Sequence, residues 1–222
     1  MNKDHKLLEE AYQSIYESAI EPNYFGLETH KEKWMDWLNK LMHEVHEDGS
    51  VSIRGNVDLD YKKITRIPFN FKSIEGNFSC SFNMLTSLEG APSFVKGFFR
   101  CTDNIITSLQ GAPSVVGDFF ACSFNNITSL KGAPDSIKTS FYCNDNKLTS
   151  LEGAPSFVGE KFLCTDNNIT SLQGAPKEVK GEFKSDNFSD EDYRKYIRDF
   201  EVHDKYVKGK LEKDFDIDLQ GF

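Results

Sequence analysis

The residues best suited to chemistry in this sequence are its five cysteines, because a thiolate can bind a metal, form a disulfide or act as a nucleophile. They recur at one constant spacing, at Cys80, Cys101, Cys122, Cys143 and Cys164. A zinc ion needs ligands that converge on one point, whereas cysteines placed one per repeat spread along an axis. We therefore predict no metal site among them.

Disulfides are the second possibility for these cysteines. Repeats stacked about 4.8 Å apart would bring neighbouring Cα atoms within disulfide range. However, the number of cysteines is odd, and in-register neighbours would have to turn their side chains toward each other. The N-terminal residues MNKDHKLLEEAY show no secretion signal, so we expect a reducing compartment. The interpretation we favour is five buried free thiols that fill a narrow core column.

The remaining reactive residues do not form a catalytic constellation. The segment His43–His46 is one residue short of the H-E-x-x-H motif of zinc proteases, so its two histidines would not share a helical face. We interpret this segment as a solvated helix end. No histidine lies between residues 47 and 202, so the repeats lack the usual general base. We predict no catalytic residues and no cofactor.

Three aspartates, Asp103, Asp145 and Asp166, recur at the same spacing and could hold a cation such as calcium. Phe82 and Phe124 interrupt their column. A repeated calcium site would need oxygen ligands in every repeat, so we interpret the aspartates as turn caps.

Composition narrows the class of partner. The chain has 222 residues, 38% of them hydrophobic, with 19 phenylalanines and a formal net charge of −9. This hydrophobic content predicts a folded core. An acidic protein gains nothing from phosphate neutralisation, so nucleic acid and anionic membranes are poor partners. No apolar stretch in the sequence approaches the length of a membrane-spanning helix, so we expect no membrane span and a cytoplasmic protein.

One 21-residue unit, repeated five times in strict register, decides the fold class. The unit is F-x-C-x-x-N-x-(L/I)-T-S-L-x-G-A-P-x-x-(V/I), followed by a short link. The asparagine column consists of Asn83, Asn104, Asn125, Asn146 and Asn167. A less regular copy precedes these five, with matching positions at Val57, Leu59, Ile64, Thr65, Ile67, Phe71 and Ile74.

Each part of the unit has a physical role in a stacked solenoid. Phe-x-Cys alternates with a period of two and predicts a short strand, which stacks on its copies as a parallel sheet. The asparagine falls where the chain leaves the strand, and its side chain can bond the backbone groups that the turn leaves unpaired. Gly-Ala-Pro bends the return arc. A single coil cannot bury its own face, so the stack needs caps at both ends.

This pattern resembles the leucine-rich-repeat family, L-x-x-L-x-L-x-x-N-x-L, with Phe78, Cys80, Asn83 and Leu85 on the matching positions. The short unit and the proline-containing arc are most similar to the short bacterial class and to arrays in tailed bacteriophages. The resemblance covers residues 57–187. It implies a curved solenoid with a parallel sheet on its concave face, irregular return arcs and protein recognition. Phenylalanine replaces the usual strand leucine, and no ubiquitin-ligase domain of the kind found in some effectors follows.

We divide the chain into an N-terminal helical cap (1–50), a solenoid (51–187) and a C-terminal helical cap with an acidic, apolar tail (188–222). Helical spacing predicts one helix over residues 3–20, through Leu8, Ala11, Tyr12, Ile15 and Ala19, and another from Thr29 to about Asp48. Ser189 with Asp192 indicates the start of the C-terminal helix. The alternating tail from Asp214, DFDIDL, is either an edge strand or a partner-binding peptide.

A partner would meet the side chains that alternate with the core residues. If Phe78 and Cys80 point inward, residues 77, 79 and 81 of each coil point out onto the concave face. These columns predict a partner-binding site formed by Phe98, Arg100, Phe119, Tyr142 and Leu163. Alternatively, Phe98 and Phe119 simply stack on each other or under a flanking segment.

Taken together, these features favour a protein–protein interaction module, with the identity of the partner and the oligomeric state left open. In this interpretation, a bacteriophage or bacterial protein binds and modulates a cellular target, in the host cytoplasm if it is phage-encoded. A structural component of a virion or other assembly is the alternative. An enzyme is disfavoured, because no acid, base and nucleophile can be brought together.

Overall fold

The structure is a computed structural model, and it describes residues 4, 6–11 and 27–215. Helices α1 (Leu27–Asn39) and α2 (Asp190–Phe215) lie on either side of fifteen short strands in the described residues. The strands are β1 (His43–Val45), β2 (Val51–Ile53), β3 (Val57–Asp58), β4 (Phe71–Ile74), β5 (Phe78–Ser79), β6 (Phe94–Val95), β7 (Phe99–Arg100), β8 (Val115–Val116), β9 (Phe120–Ala121), β10 (Ser136–Ile137), β11 (Phe141–Tyr142), β12 (Phe157–Val158), β13 (Phe162–Leu163), β14 (Glu178–Val179) and β15 (Phe183–Lys184).

The predicted solenoid is confirmed, as a parallel β-solenoid with the period of the sequence repeat. Its main sheet has seven strands in the order β15-β13-β11-β9-β7-β5-β3. Every pair in this sheet is parallel, and each residue lies beside its equivalent in the next repeat, as in Phe99 beside Phe120. We call each repeat unit a coil. Strands of two residues are stable here because each lies between two copies of itself.

The core is filled by columns of identical side chains. One column consists of phenylalanines that are at most 1% exposed, namely Phe78, Phe99, Phe120, Phe141, Phe162 and Phe183. Their rings stack with centroids 5.1–5.6 Å apart. All five cysteines are buried beside them as free thiols. The column therefore gives each coil an aromatic contact with both neighbours, worth about 0.5–1.5 kcal/mol per pair beyond its area burial.

The return arcs are more regular than the sequence predicted. Each contains a second short strand, and these strands form two further parallel sheets, β10-β12-β14 and the β2-β4-β6-β8 part of the sheet that begins with β1. The last residue of each carries an inward side chain, such as Val95 or Ile137, both fully buried. The expectation of irregular arcs was wrong because stacking brings each arc beside its own copy, and backbone groups that face each other in register then pair.

The asparagine ladder is confirmed in detail. Asn104 Nδ2 donates to the carbonyl oxygens of Cys80 and Cys101, at 3.0 and 3.2 Å. Its Oδ1 accepts a hydrogen bond from the amide of Leu85 at 3.0 Å. Asn125 repeats the same bonds one coil further on. Each asparagine thus joins its own turn to the preceding coil, and the buried turn keeps few unpaired backbone groups.

The N-terminal end differs from the prediction of one helix running to Asp48. Helix α1 ends at Asn39, and His43–Val45 forms strand β1, which pairs antiparallel with β2. The interpretation of His43–His46 as a helix end was therefore wrong, because these residues complete the edge of a sheet. Leu38 is fully buried, and the Trp37 ring packs on Phe69 at 6.3 Å. Residues 6–11 are helical with Leu8 buried, whereas Tyr12, Ile15 and Ala19 lie outside the described residues.

Helix α2 covers the last coil, as the sequence predicted. Ser189 and Asp192 form the expected capping pair, in which the Asp192 amide donates to the Ser189 hydroxyl and the Asp192 carboxylate accepts from the Ser189 amide. Tyr193 is 1% exposed and stacks on Phe183 at 4.5 Å. The helix continues to Phe215. The prediction of an edge strand from Asp214 is therefore wrong for Asp214 and Phe215, which are helical. Residues 216–222 lie outside the described part of the chain.

Candidate functional site

The predicted binding residues lie on and beside three consecutive strands of the seven-stranded sheet. Phe98 precedes β7, Phe119 precedes β9, and Tyr142 ends β11. The Phe98 and Phe119 rings stack with centroids 4.7 Å apart, and Phe119 meets the edge of Tyr142 at 6.1 Å. All three rings are partly exposed. We call Phe98, Phe119 and Tyr142 the aromatic row.

Arg100 is held in place beside this row. Its guanidinium forms an ion pair with Asp60 at 2.6 Å, and its Nε donates to the Ser79 hydroxyl at 3.0 Å. The Arg100 carbon Cζ lies 5.8 Å from the centre of the Phe98 ring. Asp60 Oδ1 also accepts a hydrogen bond from the amide of Ser81 at 2.7 Å. The arginine therefore spans three coils, which makes it a rigid flank of the aromatic row.

Leu163 lies one coil beyond Tyr142, in register with it on β13, and is also partly exposed. Its neighbour in the next coil is the exposed Lys184. The five predicted residues thus form a continuous strip over four coils. It contains the aromatic row, one arginine and one leucine, and it ends at a lysine.

Two of the columns expected to face outward are partly buried. Ser79, Ser81, Ala121 and Ser123 are at most 7% exposed. Their small side chains fit between coils, where Ser81 Oγ accepts from the amide of Thr102 and Ser123 Oγ accepts from the amide of Asn144. These bonds continue the ladder past the two-residue strands. The prediction that residue 81 and its equivalents face a partner was therefore wrong for Ser81 and Ser123.

The cysteines are poorly placed for thiol chemistry. Burial raises the pKa of the Cys80, Cys101, Cys122 and Cys143 thiols well above the usual range. A thiol that keeps its proton is a weak nucleophile and a weak metal ligand. Among the residues that the structure describes, there is no group of three or more histidine, cysteine, aspartate or glutamate side chains able to hold a metal ion.

A second exposed feature was missed at the sequence level. Where each coil leaves the seven-stranded sheet, two exposed or partly exposed side chains flank one residue, which is the ladder asparagine in every coil except the first, where it is the exposed Lys62. We call these two columns together the edge ridge. Its first column is Tyr61, Phe82, Asp103, Phe124, Asp145 and Asp166, and its second is Lys63, Met84, Ile105, Asn126, Lys147 and Asn168. Five large apolar side chains of the ridge are 37–68% exposed: Tyr61, Phe82, Met84, Ile105 and Phe124.

The first column of the ridge is also conformationally strained. Its residues from Tyr61 to Asp166 have φ between 51° and 57°. Aspartate tolerates this left-handed region, but phenylalanine and tyrosine occupy it at a cost of roughly 1–2 kcal/mol each. Tyr61 and Phe82 partly offset the cost by stacking at 4.3 Å. The sequence shows that aromatic residues replace aspartate in this column, but it does not show the backbone conformation that they adopt.

Comparison with protein-family models, with curated proteins and with solved structures finds no match to this chain. The described helices also include none that is long and apolar enough to span a membrane.

Proposed function

We propose that this chain is a leucine-rich-repeat-like protein-binding module. In this proposal the seven-stranded sheet is the concave face of a curved solenoid, and Phe98, Arg100, Phe119, Tyr142 and Leu163 bind the partner. The observation that carries the proposal is that the three rings of the aromatic row stay partly exposed in consecutive coils beside a fixed arginine, although Phe98 and Phe119 stack on each other. Clustered aromatic residues with an arginine are the composition of interface hot spots.

The variation along one outward column supports recognition by this face. In the core columns, phenylalanine and cysteine repeat from coil to coil. In the column that starts at Ser79, Ser79 and Ala121 are small and buried, whereas Arg100, Tyr142, Leu163 and Lys184 reach the surface with different side chains. A constant core fixes the backbone, so the outward residues can differ without cost to the fold. Different chemistry at each coil is what distinguishes one partner from another.

The charge of the chain favours a protein as the partner. With a formal net charge of −9, the molecule repels nucleic acid and anionic membranes, which bind basic surfaces. Five buried free thiols are also in keeping with a reducing compartment. We therefore propose a cytoplasmic target, in the host cytoplasm if the chain is phage-encoded.

The size of the sheet limits how the partner binds. Seven strands about 4.8 Å apart form a sheet about 29 Å long and roughly 10–16 Å wide, or roughly 300–450 Å². A standard interface covers about 800 Å² on each partner. A partner held stably by the aromatic row must therefore extend onto one of the caps or onto the outside of the solenoid.

Capture from a bacterial lysate, followed by mass spectrometry, tests this proposal. A variant with Phe98→Glu, Phe119→Glu and Tyr142→Glu should no longer retain the partner that the unmodified chain retains, because each carboxylate would have to be desolvated on docking. Phe94→Glu is the matched control, since Phe94 is also a partly exposed phenylalanine but lies on β6, in a return arc. A thermal melt of each variant shows whether the fold is kept.

Three outcomes decide between the possibilities. Loss of capture in the triple variant, with capture and melting kept in the Phe94 control, supports the proposal. Capture that persists in the triple variant refutes the aromatic row as the site, and a collapsed melt means that the rings serve the fold. The alternative function, a structural part of a virion or other assembly, requires that the chain be found in purified particles.

A further inference from the structure

The edge ridge carries features that the binding proposal does not use. Phe124 is 55% exposed and has φ of 56°. Its neighbours in the column, Asp103 and Asp145, offer no ring on which it could stack. A strained, exposed aromatic residue contributes little to the stability of a single molecule. The turn of every coil adopts this backbone conformation, but it does not require an aromatic residue there, so the choice of phenylalanine points to a role in binding.

The two columns of the ridge are complementary to each other. In successive coils, Tyr61 is matched with Lys63, Phe82 with Met84, and Asp145 with Lys147. These combinations are an aromatic ring with a cation, an aromatic ring with a thioether, and an ion pair. Phe124 is matched with Asn126, and Asp166 with Asn168. The coil with Asp103 and Ile105 has no favourable combination of this kind.

Within one molecule, these complementary residues do not satisfy each other. The ion pairs of the described residues include neither Asp145 nor Lys147. Partial desolvation and the like-charged carboxylates of Asp166 and Asp186 raise the pKa of Asp145. The cation–π contacts of the described residues do not include Tyr61 with Lys63. Both columns are exposed or partly exposed along the same edge of the sheet, where another surface can reach them.

We propose that the edge ridge is a self-association surface at which two copies of this chain meet with their solenoid axes parallel. A twofold axis along the solenoid then places the first column of each copy opposite the second column of the other, coil by coil. Asp145 of each copy faces Lys147 of the second copy, and Phe82 faces Met84 in the same way. Because the interface is isologous, each pair occurs twice.

The charges select this parallel arrangement over an antiparallel one. An antiparallel pair centred on Ile105 would place Lys63 opposite Lys147 and Asp103 opposite itself. Shifting that arrangement by one coil would place Phe82 opposite Asp145. Like charges oppose the first of these registers, and the second leaves Asp145 and Lys147 without opposite charges, whereas the parallel arrangement pairs them with each other.

The dimer is expected to be weak. The ridge extends over six coils, about 25 Å, and is about 10 Å wide, so each copy contributes about 250 Å². This area is well below the roughly 800 Å² per partner of a standard interface, and it belongs to the class of transient complexes. A dilution series that spans the micromolar to millimolar range is therefore the appropriate measurement, by sedimentation or by small-angle scattering.

Charge reversal at Asp145 and Lys147 tests the pairing directly. Asp145→Lys or Lys147→Asp alone should lower the self-association constant by about tenfold, because each change replaces two attractive pairs by two repulsive ones. Mixing the two single variants should restore association, since each lysine then meets an aspartate. The double variant D145K/K147D should also associate alone. Lys63 shows that a lysine can adopt the left-handed conformation in this fold, at φ of 56°.

Each result of this experiment supports or overturns the proposal. Recovery in the mixture and in the double variant, with unchanged thermal melts, supports the parallel ridge contact. Single variants that associate as well as the unmodified chain overturn it, as does an unmodified chain that stays monomeric into the millimolar range. A mixture no better than its components also overturns it, since that is the result for an antiparallel pair. If either single variant melts early, Asp145→Asn and Lys147→Gln replace it, and association as strong as in the unmodified chain overturns the proposal. None of these results depends on the aromatic row.

Discussion

Phenylalanine and cysteine fill the same core from the same strands, yet they contribute to stability by different amounts. Phe120 and Cys122 are both fully buried. Phe120 stacks on rings in the coils before and after it, at 5.1 and 5.2 Å. The cysteine side chain has a single heavy atom beyond Cβ. The phenylalanine column therefore supplies most of the apolar contact between coils, and the cysteine fills the space that remains.

Substituting these two residues should reveal that difference. Phe120→Ala should lower the free energy of unfolding by about 3–5 kcal/mol, because it removes a buried ring and leaves a cavity. Cys122→Ala should cost much less, since it removes only a sulfur atom. Urea denaturation of both variants measures the effect, with Lys147→Ala as an exposed control. Equal losses for Phe120→Ala and Cys122→Ala would contradict the contribution assigned to the aromatic column.

The buried thiols should also make the protein sensitive to alkaline pH. Burial raises the pKa of Cys80, Cys101, Cys122 and Cys143 in the folded state, whereas the unfolded thiols titrate near pH ~8.5. Above that pH, the unfolded state loses protons that the folded state keeps. Stability is therefore full below pH ~8.5 and falls as pH rises, by about 1.4 kcal/mol per pH unit for each thiol.

Urea midpoints of the unmodified chain and of Cys122→Ala, measured at intervals from pH ~7.5 to ~10, test this dependence. Removing one thiol should reduce the loss of unfolding free energy by about 1.4 kcal/mol per pH unit. The slope is compared, so the cost of the small cavity does not affect the result. Identical slopes would mean that the buried thiols do not cause the alkaline loss.

At the residue scale, the sequence predicted the positions of the side chains that are identical in every repeat. The inward phenylalanine and cysteine and the asparagine ladder were all identified from their columns. The inward position of Ser81 was missed, because alternation along a strand predicts an outward side chain at that position. The chain leaves the strand there, and a small hydroxyl that bonds the next coil is more stable between coils than in water.

At the scale of elements, the local sequence pattern did not predict the strands of the return arcs. A segment such as Ser136–Ile137 offers one apolar residue and no alternation, so nothing in a single coil indicates a strand. It becomes one because Phe157–Val158 lies beside it in register. The same reasoning explains β1, whose pairing with β2 depends on a turn at Asp48–Gly49 that we had interpreted as a helix end.

Arg194 is the residue through which α2 holds the last coil. Its guanidinium donates to the carbonyl oxygens of Val179 and Gly181, at 2.7 and 2.6 Å. These carbonyls belong to the terminal coil, where no further coil can pair with them. Its Nε also donates to Asp190, one helical turn earlier. The planar guanidinium of α2 thus donates hydrogen bonds to two backbone carbonyl oxygens at the end of the stack.

Replacing Arg194 should loosen this end more than the rest. Arg194→Ala should cost about 1–2 kcal/mol, the value of charge-assisted bonds at a partly exposed site. Arg194→Lys should recover little, because an ammonium group cannot form the same fork. Hydrogen exchange should increase first in the coil around β15. Arg198→Ala is the control, since Arg198 is exposed one turn further along α2, and equal effects at both positions would contradict the capping role.

At the scale of the whole molecule, one aromatic column connects the two caps. Trp37 of α1 packs on Phe69, which contacts Phe71, and Phe71 contacts Phe78 at 5.5 Å. The column then passes through every coil to Tyr193 of α2. Both caps therefore extend the repeat's own core with rings of the same kind. Each coil is stabilised only by its neighbours, and stability becomes a sum over adjacent coils.

The sequence predicted the residues of the binding strip, but it did not predict the edge ridge. Phe98, Arg100 and Tyr142 were found because alternation placed them opposite the core. Their contacts with each other, and the bond from Arg100 back to Asp60, required the relative positions of three coils. The ridge needed backbone angles as well, because the left-handed conformation at Phe82 and Phe124 has no sequence signal when the residue is aromatic.

Removing one complete coil provides the strictest test of this description. Deletion of residues 120–140 joins Phe119 to Phe141, so that β7 meets β11 in the register that it now has with β9. Because every column repeats once per coil, the phenylalanine, cysteine and asparagine ladders all close again. The shortened protein should fold cooperatively with a lower midpoint. Its urea m-value should fall by roughly one-tenth, because the surface exposed on unfolding scales with chain length and 21 of the 222 residues are removed.

Deletion of residues 120–130 alone is the matched control for register. It removes fewer residues, but it places polar arc positions opposite the phenylalanine column, and every later coil is then out of register. Such a chain should lose cooperative unfolding, because the mismatch leaves buried polar groups unpaired and aromatic rings exposed. If both deletions unfold alike, the coils are not interchangeable neighbours, and long-range contacts outside the repeat must hold the solenoid together. If only the shorter deletion loses cooperative unfolding, stability depends on keeping each coil in register with its neighbours.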